Sequence, residues 1–261
     1  MRRTAALMVL VLTAAGCGTS GRAVESEVPA DCGDVVILAA SSMASPLGHI
    51  VKQSDGSTTC PRTVTLSTGS STALAAQIVE GAPADVFVSA APQPVQELID
   101  SGLVKGDPVV LGSNTASVMV NRDFDGINRV NSVGSLGRVD AVVGVCVATA
   151  PCGAAADAVL EAAGTSRARV VDTEAATAAD LVSKIVAGEV DAGIVFTSDC
   201  RIARNMSATV CVPVPEASNV RMPVVAVRLV DTPAAEAVMA RLTGTAFVNL
   251  LHDVYGLDKP S

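Results

Sequence analysis

The sequence predicts an α/β fold built from mostly parallel, doubly wound sheets, and three observations carry that expectation. Short continuous apolar runs recur, each the length of a strand buried on both faces, as in Val35-Val36-Ile37-Leu38-Ala39-Ala40. Each run leads into a loop of small residues and then into apolar residues at helical spacing, the alternation of βαβ units. The chain has 261 residues, room for two lobes of about 100 to 130 residues each. In such folds ligand loops gather at the carboxyl ends of the strands.

Hydrophobic residues make up 49% of the chain and aromatics only 2%, so Ala and Val must fill the core. The net charge is −8, from 18 basic and 26 acidic residues, and no dense basic run occurs, which argues against nucleic acid as a partner. Residues 1–17 open with Arg2 and Arg3 and continue through an apolar run too short to span a bilayer, the pattern of a secretory signal peptide. Their end, Ala15-Gly16-Cys17, resembles a bacterial lipobox, in which the cysteine is acylated and becomes the first mature residue. Where that pattern prefers Leu, this chain has Ala14. The resemblance implies a lipoprotein with Cys17 as the lipidation site, exported and held at the outer face of the cell membrane by lipid alone. Ordinary cleavage at a small-residue site is the alternative. Residues 18–33 are small, polar and aperiodic, and read as a flexible tether.

From residue 35 strands and helices alternate. The apolar strand Val35–Ala40 runs into Ser41-Ser42-Met43, and Ser45-Pro46-Leu47 starts a helix with proline in its first turn. Val64-Thr65-Leu66-Ser67 is a strand leading to Gly69-Ser70-Ser71-Thr72, where Ser70 or Ser71 caps a helix whose Leu74, Ile78 and Val79 recur at helical spacing before Gly81. A helix start offers unpaired N–H groups and partial positive charge, a seat for an anion, although serine caps are common without one. Strands follow at 85–89, 116–121, 141–147, 191–196 and 223–229, with helices at 93–103, 154–163, 178–187 and two within 233–257. No sequence repeat relates the two halves.

Several of these segments resemble the molybdate-binding proteins of bacterial ABC importers. The shared motifs are Ala39-Ala40-Ser41-Ser42, Gly69-Ser70-Ser71 followed by Leu74, Gln77 and Ile78, Gly81-Ala82-Pro83-Ala84-Asp85-Val86-Phe87, and Asp191-Ala192-Gly193-Ile194-Val195-Phe196. The resemblance runs from about residue 34 to 257. It implies a two-lobed type II periplasmic binding protein fold with two hinge crossings, 34–112 and 222–261 forming lobe 1 and 113–221 lobe 2. It further implies a non-catalytic, monomeric solute-binding protein without cofactor. Such a protein captures molybdate, and tungstate with it, between the lobes for an ABC permease. The metal would be bound as an oxyanion, with no direct protein ligand to it.

Carried over position by position, Ser42 and Ser71 match the family's ligand serines, with Ser41 and Ser70 beside them. Cys152 falls where the family uses a small residue for its backbone N–H, and Ala178 where a second helix-start N–H is used. Phe196 falls where the family places a ligand tyrosine. Neutral donors suffice for a tetrahedral dianion, and a hydrogen phosphate would bring a proton that finds no acceptor. Phe196 lacks a hydroxyl, and losing a hydrogen bond to a charged group costs about 1.5–3 kcal/mol. Thr197 or a water is the candidate substitute.

A serine-dependent enzyme is the contrasting expectation, but His49 and His252 fall in helices away from these loops and no Gly-x-Ser-x-Gly elbow occurs. A receptor for another oxyanion such as sulfate is a further one. An organic acid would favour an arginine in the site loops, and none is there.

Seven cysteines suit an exported chain. With Cys17 lipidated, an even set remains, and a zinc site is disfavoured by the lack of any Cys-x-x-Cys. Cys200 and Cys211 bracket a short polar segment, so closing the loop costs little chain entropy. Cys146 lies near a strand end and Cys152 just past its loop. Cys32 and Cys60 precede strands whose starts lie side by side if those strands are parallel neighbours. The predicted bridges are Cys32–Cys60, Cys146–Cys152 and Cys200–Cys211; the rival is Cys152 as a free thiol beside the ligand.

Overall fold

Strands buried on both faces need helices on both sides, and the chain supplies them twice. The structure, a computed structural model, describes residues 32–54, 60–204 and 207–260. The predicted signal segment, Cys17 and nearly all of the tether lie outside the described residues. The first sheet contains β1 (Val35–Ala40), β2 (Val64–Gly69), β3 (Val86–Ser89), β4 (Lys105–Asn114) and β10 (Met222–Arg228), in the order β2-β1-β3-β10-β4. The second contains β5 (Ala116–Asn121), β6 (Val143–Cys146), β7 (Thr173–Ala175), β8 (Ala192–Phe196) and β9 (Thr209–Pro213), in the order β7-β6-β8-β5-β9. The two orders correspond strand for strand.

In each sheet the strand that arrives from the other lobe is inserted antiparallel. β10 runs against both β3 and β4, and β5 against both β8 and β9, while β1 is parallel to β2 and β3, and β6 to β7 and β8. The sheets are therefore mixed, because a strand entering from the hinge points away from it while the βαβ strands point toward it. β4 extends past the 109–112 region to Asn114, and the chain crosses at Thr115. Buried Asn114 fixes this crossing, its side-chain amide donating to Ser198 Oγ at 2.8 Å. Asn219 fixes the return, accepting from Ala116 N–H at 2.8 Å and donating to Ala116 O at 2.9 Å.

Alternating residues of the strands feed opposite helical layers. In β1, Ile37 and Ala39 pack with Leu47 and Ile50 of α1 (Ala44–Ser54) and Val238 of α8 (Pro233–Thr243). Leu38 packs with Leu74 and Ile78 of α2 (Ser71–Val79) and Leu98 of α3 (Pro92–Asp100). In lobe 2, Val145 and Ile194 pack with Val159 and Leu160 of α4 (Pro151–Ala162). The opposite face takes Leu181 and Ile185 of α6 (Ala178–Ala187) into an apolar cluster that runs continuously through both lobes. α2 ends where Gly81 adopts φ 98°, and the 5→2 and 6→1 bonds Gly81 N–H to Ile78 O and Ala82 N–H to Gln77 O close a Schellman motif.

Among the described residues three disulfides are present, Cys32–Cys60, Cys146–Cys152 and Cys200–Cys211, with Cα separations of 5.4, 5.6 and 5.9 Å. The polar segment between Cys200 and Cys211 is not a bare loop: Cys200 lies in α7 (Thr197–Arg204) and Cys211 in β9, so the bridge ties a helix to an edge strand.

Next to Cys200, Asp199 is buried in the first turn of α7, and its Oδ2 has no hydrogen-bond partner. Burial pushes its carboxyl up to about 7, opposed in part by a backbone hydrogen bond at Phe196. An unfolded aspartate titrates near pH 4. Between about 4 and about 7 the folded chain therefore holds a proton that the unfolded chain has lost, and stability falls as pH rises through that window. Asp199→Asn cannot ionise. Its stability against urea should gain on the parent's from about pH 4 to about pH 7 and run parallel above; a constant difference throughout would contradict this assignment.

Candidate functional site

The carboxyl ends of the βαβ strands of both lobes meet across one cleft. β1 ends at Ala40 and hands over to Ser41 and Ser42; β2 ends at Gly69 and hands over to Ser70 and Ser71. From lobe 2 come Pro151 and Cys152 at the start of α4, Thr177 and Ala178 at the start of α6, and Phe196 at the end of β8. All of these line one cavity of about 10 Å³. That is the space of about one water-sized sphere, so little free room is left between these loops. No Lys, Arg, His, Asp or Glu lines it.

The polar groups facing this volume are donors in search of acceptors. Ser42 is 2% exposed, and its Oγ has no hydrogen-bond partner. Ser71 Oγ accepts from Ala90 N–H at 3.1 Å, which leaves its own proton free to donate elsewhere. Ser70 occupies the N-cap of α2 but makes no capping bond with its hydroxyl. In α4, Pro151 has no N–H, and Gly153 and Ala154 N–H already donate to Ala150 O. That leaves Cys152 N–H without an acceptor among the described residues. At α6, Thr177 Oγ1 caps Asp180 N–H at 3.1 Å and Ala179 N–H reaches across to Ser41 Oγ at 3.3 Å, leaving Ala178 N–H likewise open. A second bond, Thr72 Oγ1 to Thr149 O at 2.8 Å, also joins the lobes.

Phe196 is buried and presents a hydrocarbon ring to the cavity. Thr197 is not its substitute. The Thr197 hydroxyl lies at 2.8 Å from Thr115 Oγ1 and 2.9 Å from Ser117 Oγ, on the hinge side of the strand, and it does not line the cavity. The turn from strand to α7 rotates it away from Phe196. Thr177 was not singled out from sequence, although Thr177 with Asp180 three residues on is a readable helix-start signature. Both histidines serve packing: His49 Nε2 lies 3.2 Å from the Tyr255 hydroxyl, and His252 Nδ1 lies 2.9 Å from Leu257 O.

Two acidic motif residues turn out to be structural, and in equivalent ways. Asp85 precedes β3, and its carboxylate accepts from Val36 N–H at 2.7 Å. Asp191 precedes β8, and its carboxylate accepts from Val142 N–H at 2.8 Å. Each locks the start of its strand to the neighbouring parallel one, far from the carboxyl ends that form the cavity.

Two lobes meeting over a small pocket of neutral donors are the architecture of a solute-binding protein. The chain belongs to the bacterial extracellular solute-binding protein family, whose model matches residues 35–252, and members of this family are binding proteins rather than enzymes. Molybdate-binding protein ModA of Mycobacterium tuberculosis, like that of Mycobacterium bovis, is 29% identical over 257 residues, covering 97% of this chain and 95% of the relative. Among solved structures, the periplasmic molybdate-binding protein of Azotobacter vinelandii superposes with a TM-score of 0.74 at 21% identity, covering 87% of this chain and 100% of that one. The sulfate-binding protein SubI of Mycobacterium tuberculosis superposes with a TM-score of 0.71 at 11% identity, covering 87% and 92%.

A buried hydroxyl without a partner costs about 1–3 kcal/mol. Ser42→Ala removes that hydroxyl at nearly constant shape, so the ligand-free variant should be more stable than the parent by about 1 kcal/mol in urea denaturation. A loss of similar size would mean that Ser42 Oγ is satisfied within the fold.

Proposed function

We propose that the chain captures molybdate, and tungstate with it, between its lobes as the extracytoplasmic receptor of an ABC importer. The observation that carries this reading is Ser42 Oγ, a buried and unpartnered hydroxyl on a residue that lines a small cavity with no charged side chain. Around it stand the free proton of Ser71 Oγ and the open N–H groups of Cys152 and Ala178. Such a set has protons to give and no carboxylate to offer, so it fits a fully deprotonated anion and disfavours amines and cations. The helix starts add partial positive charge where a dianion would sit. Relatives covering nearly the whole chain are named as molybdate-binding proteins, which points to that oxyanion in particular.

Selection follows from the same donors. Hydrogen phosphate would need a hydroxyl to accept its proton and so would lose a donor, and smaller sulfate would reach the donors less well. Lipid on Cys17 would hold the receptor at the membrane, the tether would let it reach the permease, and one copy suffices for one site.

Calorimetric titration with molybdate, tungstate, sulfate and phosphate tests the proposal. Binding of molybdate and tungstate one to one, with sulfate much weaker, is the expected result. A flat titration with both metal oxyanions would overturn it, and tighter sulfate binding would move the reading to a sulfate receptor. Ser42→Ala and Ser71→Ala should each weaken molybdate binding by about tenfold or more, since each removes a hydrogen bond to a charged group. Phe196→Tyr should strengthen it by restoring a donor at the end of β8.

A further inference from the structure

We infer that Arg167, a residue outside the cavity, is a positioning residue for the Cys152 N–H donor, acting together with the Cys146–Cys152 bridge. The inference rests on the oxyanion reading of the site. It starts from the turn that joins β6 to α4, residues 147–150. That turn carries the one donor contributed by α4, and two independent staples close it at the same two points.

The disulfide is the first staple. It joins Cys146, fully buried at the end of β6, to Cys152, which lines the cavity. The Arg167 guanidinium is the second, and it works from the backbone side. Its Nη1 donates to Cys146 O at 2.8 Å, and its Nη2 donates to Gly153 O at 3.3 Å. These carbonyls belong to one bridged cysteine and to the residue following the other. The fork is itself held: Nε donates to Asp157 Oδ1 at 2.9 Å, and Nη1 also contacts Glu174 Oε1 at 2.5 Å, on α4 and β7 respectively. Burial works against the guanidinium's charge, but the hydrogen bonds and charges of Asp157 and Glu174 outweigh it and favour the charged form further.

The turn between the staples has no slack. A Cβ on Gly153 would stand 1.9 Å from Val147 O, so the first turn of α4 sits against the chain entering the loop. In a site that sorts anions by size, a donor displaced by a fraction of an ångström loses its bond to the right ion and accommodates the wrong one more easily. Two carboxylates already neutralise Arg167, so its contribution is geometric. A lysine keeps the charge but cannot span two carbonyls and a carboxylate with one fixed fork.

The test is a double-mutant cycle on the full chain, with molybdate and sulfate as probes. It combines Arg167→Met or Arg167→Lys with C146A/C152A, which removes one staple and leaves both other disulfides. Amide hydrogen exchange is read on the ligand-free proteins. The expected result is about tenfold weaker molybdate binding in Arg167→Met, little rescue in Arg167→Lys, and a reduced molybdate-to-sulfate ratio in both. The loss should be several-fold larger when the bridge is absent, because each staple partly covers for the other. Exchange at Gly153 and Ala154, whose N–H groups donate to Ala150 O, should rise about tenfold, while Ser71 and Thr72 in lobe 1 stay unchanged. Full rescue by lysine, additive losses, or unchanged exchange at residues 153–154 would each overturn the inference. A parent that binds no molybdate would overturn the functional reading instead, while the exchange result would still decide the positioning.

Discussion

Hydrogen-bond donors buried without acceptors are the constraint on which the rest of this molecule depends. Folding ordinarily pairs such groups, because an unmatched one loses its water and gains nothing in return. Here Ser42 Oγ, Cys152 N–H and Ala178 N–H are held at one small cavity, while their neighbours are satisfied. The satisfied neighbours make the arrangement selective. Ala90 N–H takes the lone pair of Ser71, Thr177 caps Asp180, and Ala150 accepts from Gly153 and Ala154, so the unmatched groups are specific atoms. On the proposed reading, a dianion entering the cleft would meet donors already in place, and little backbone ordering would remain to be done on binding.

The remainder of the structure supports that geometry from both sides of a pseudo-symmetric frame. Each lobe repeats one strand order, and in each an aspartate just ahead of the third βαβ strand locks the start of the first. Pinning the amino ends of the strands sets the register, and register sets where their carboxyl ends deliver the serines of lobe 1 and the helix starts of lobe 2. The inserted antiparallel strands β5 and β10 then fix the lobes to each other through Asn114 and Asn219. Closure is expressed in the apolar layer as well, where one continuous cluster includes Met43 of lobe 1 and Phe196 of lobe 2.

A core made of Ala and Val gains less from each buried side chain than one rich in aromatics. Three covalent links offset part of that. Cys32–Cys60 joins the segments leading into β1 and β2, Cys200–Cys211 joins α7 to the edge strand β9, and Cys146–Cys152 closes a turn beside the cavity. The last of these belongs equally to stability and to the site.

Much of this was legible in the sequence, because it is written in local terms. Strand Val35–Ala40, helix Ala178–Ala187 and the two C-terminal helices follow from apolar runs and periodicity. The serines of the lobe 1 loops stand out through the motifs they share with the molybdate-binding proteins, and the placement of the cysteines around the expected strands suggested the three pairings observed. Other features depend on what lies opposite, and no local pattern records that. The equivalence of the two lobes is one of topology without sequence repetition. The Thr197 hydroxyl faces the hinge because Thr115 and Ser117 stand across from it. The carboxyl of Asp199 is shifted because the packing of α7 takes it out of water. Arg167 reads as an ordinary surface charge until the fold brings Cys146 O and Gly153 O within its reach. The sequence by itself determined the elements and the chemistry that each loop carries. Only the tertiary structure decided which donors are left without partners, since a hydrogen bond is satisfied or orphaned by atoms many residues away.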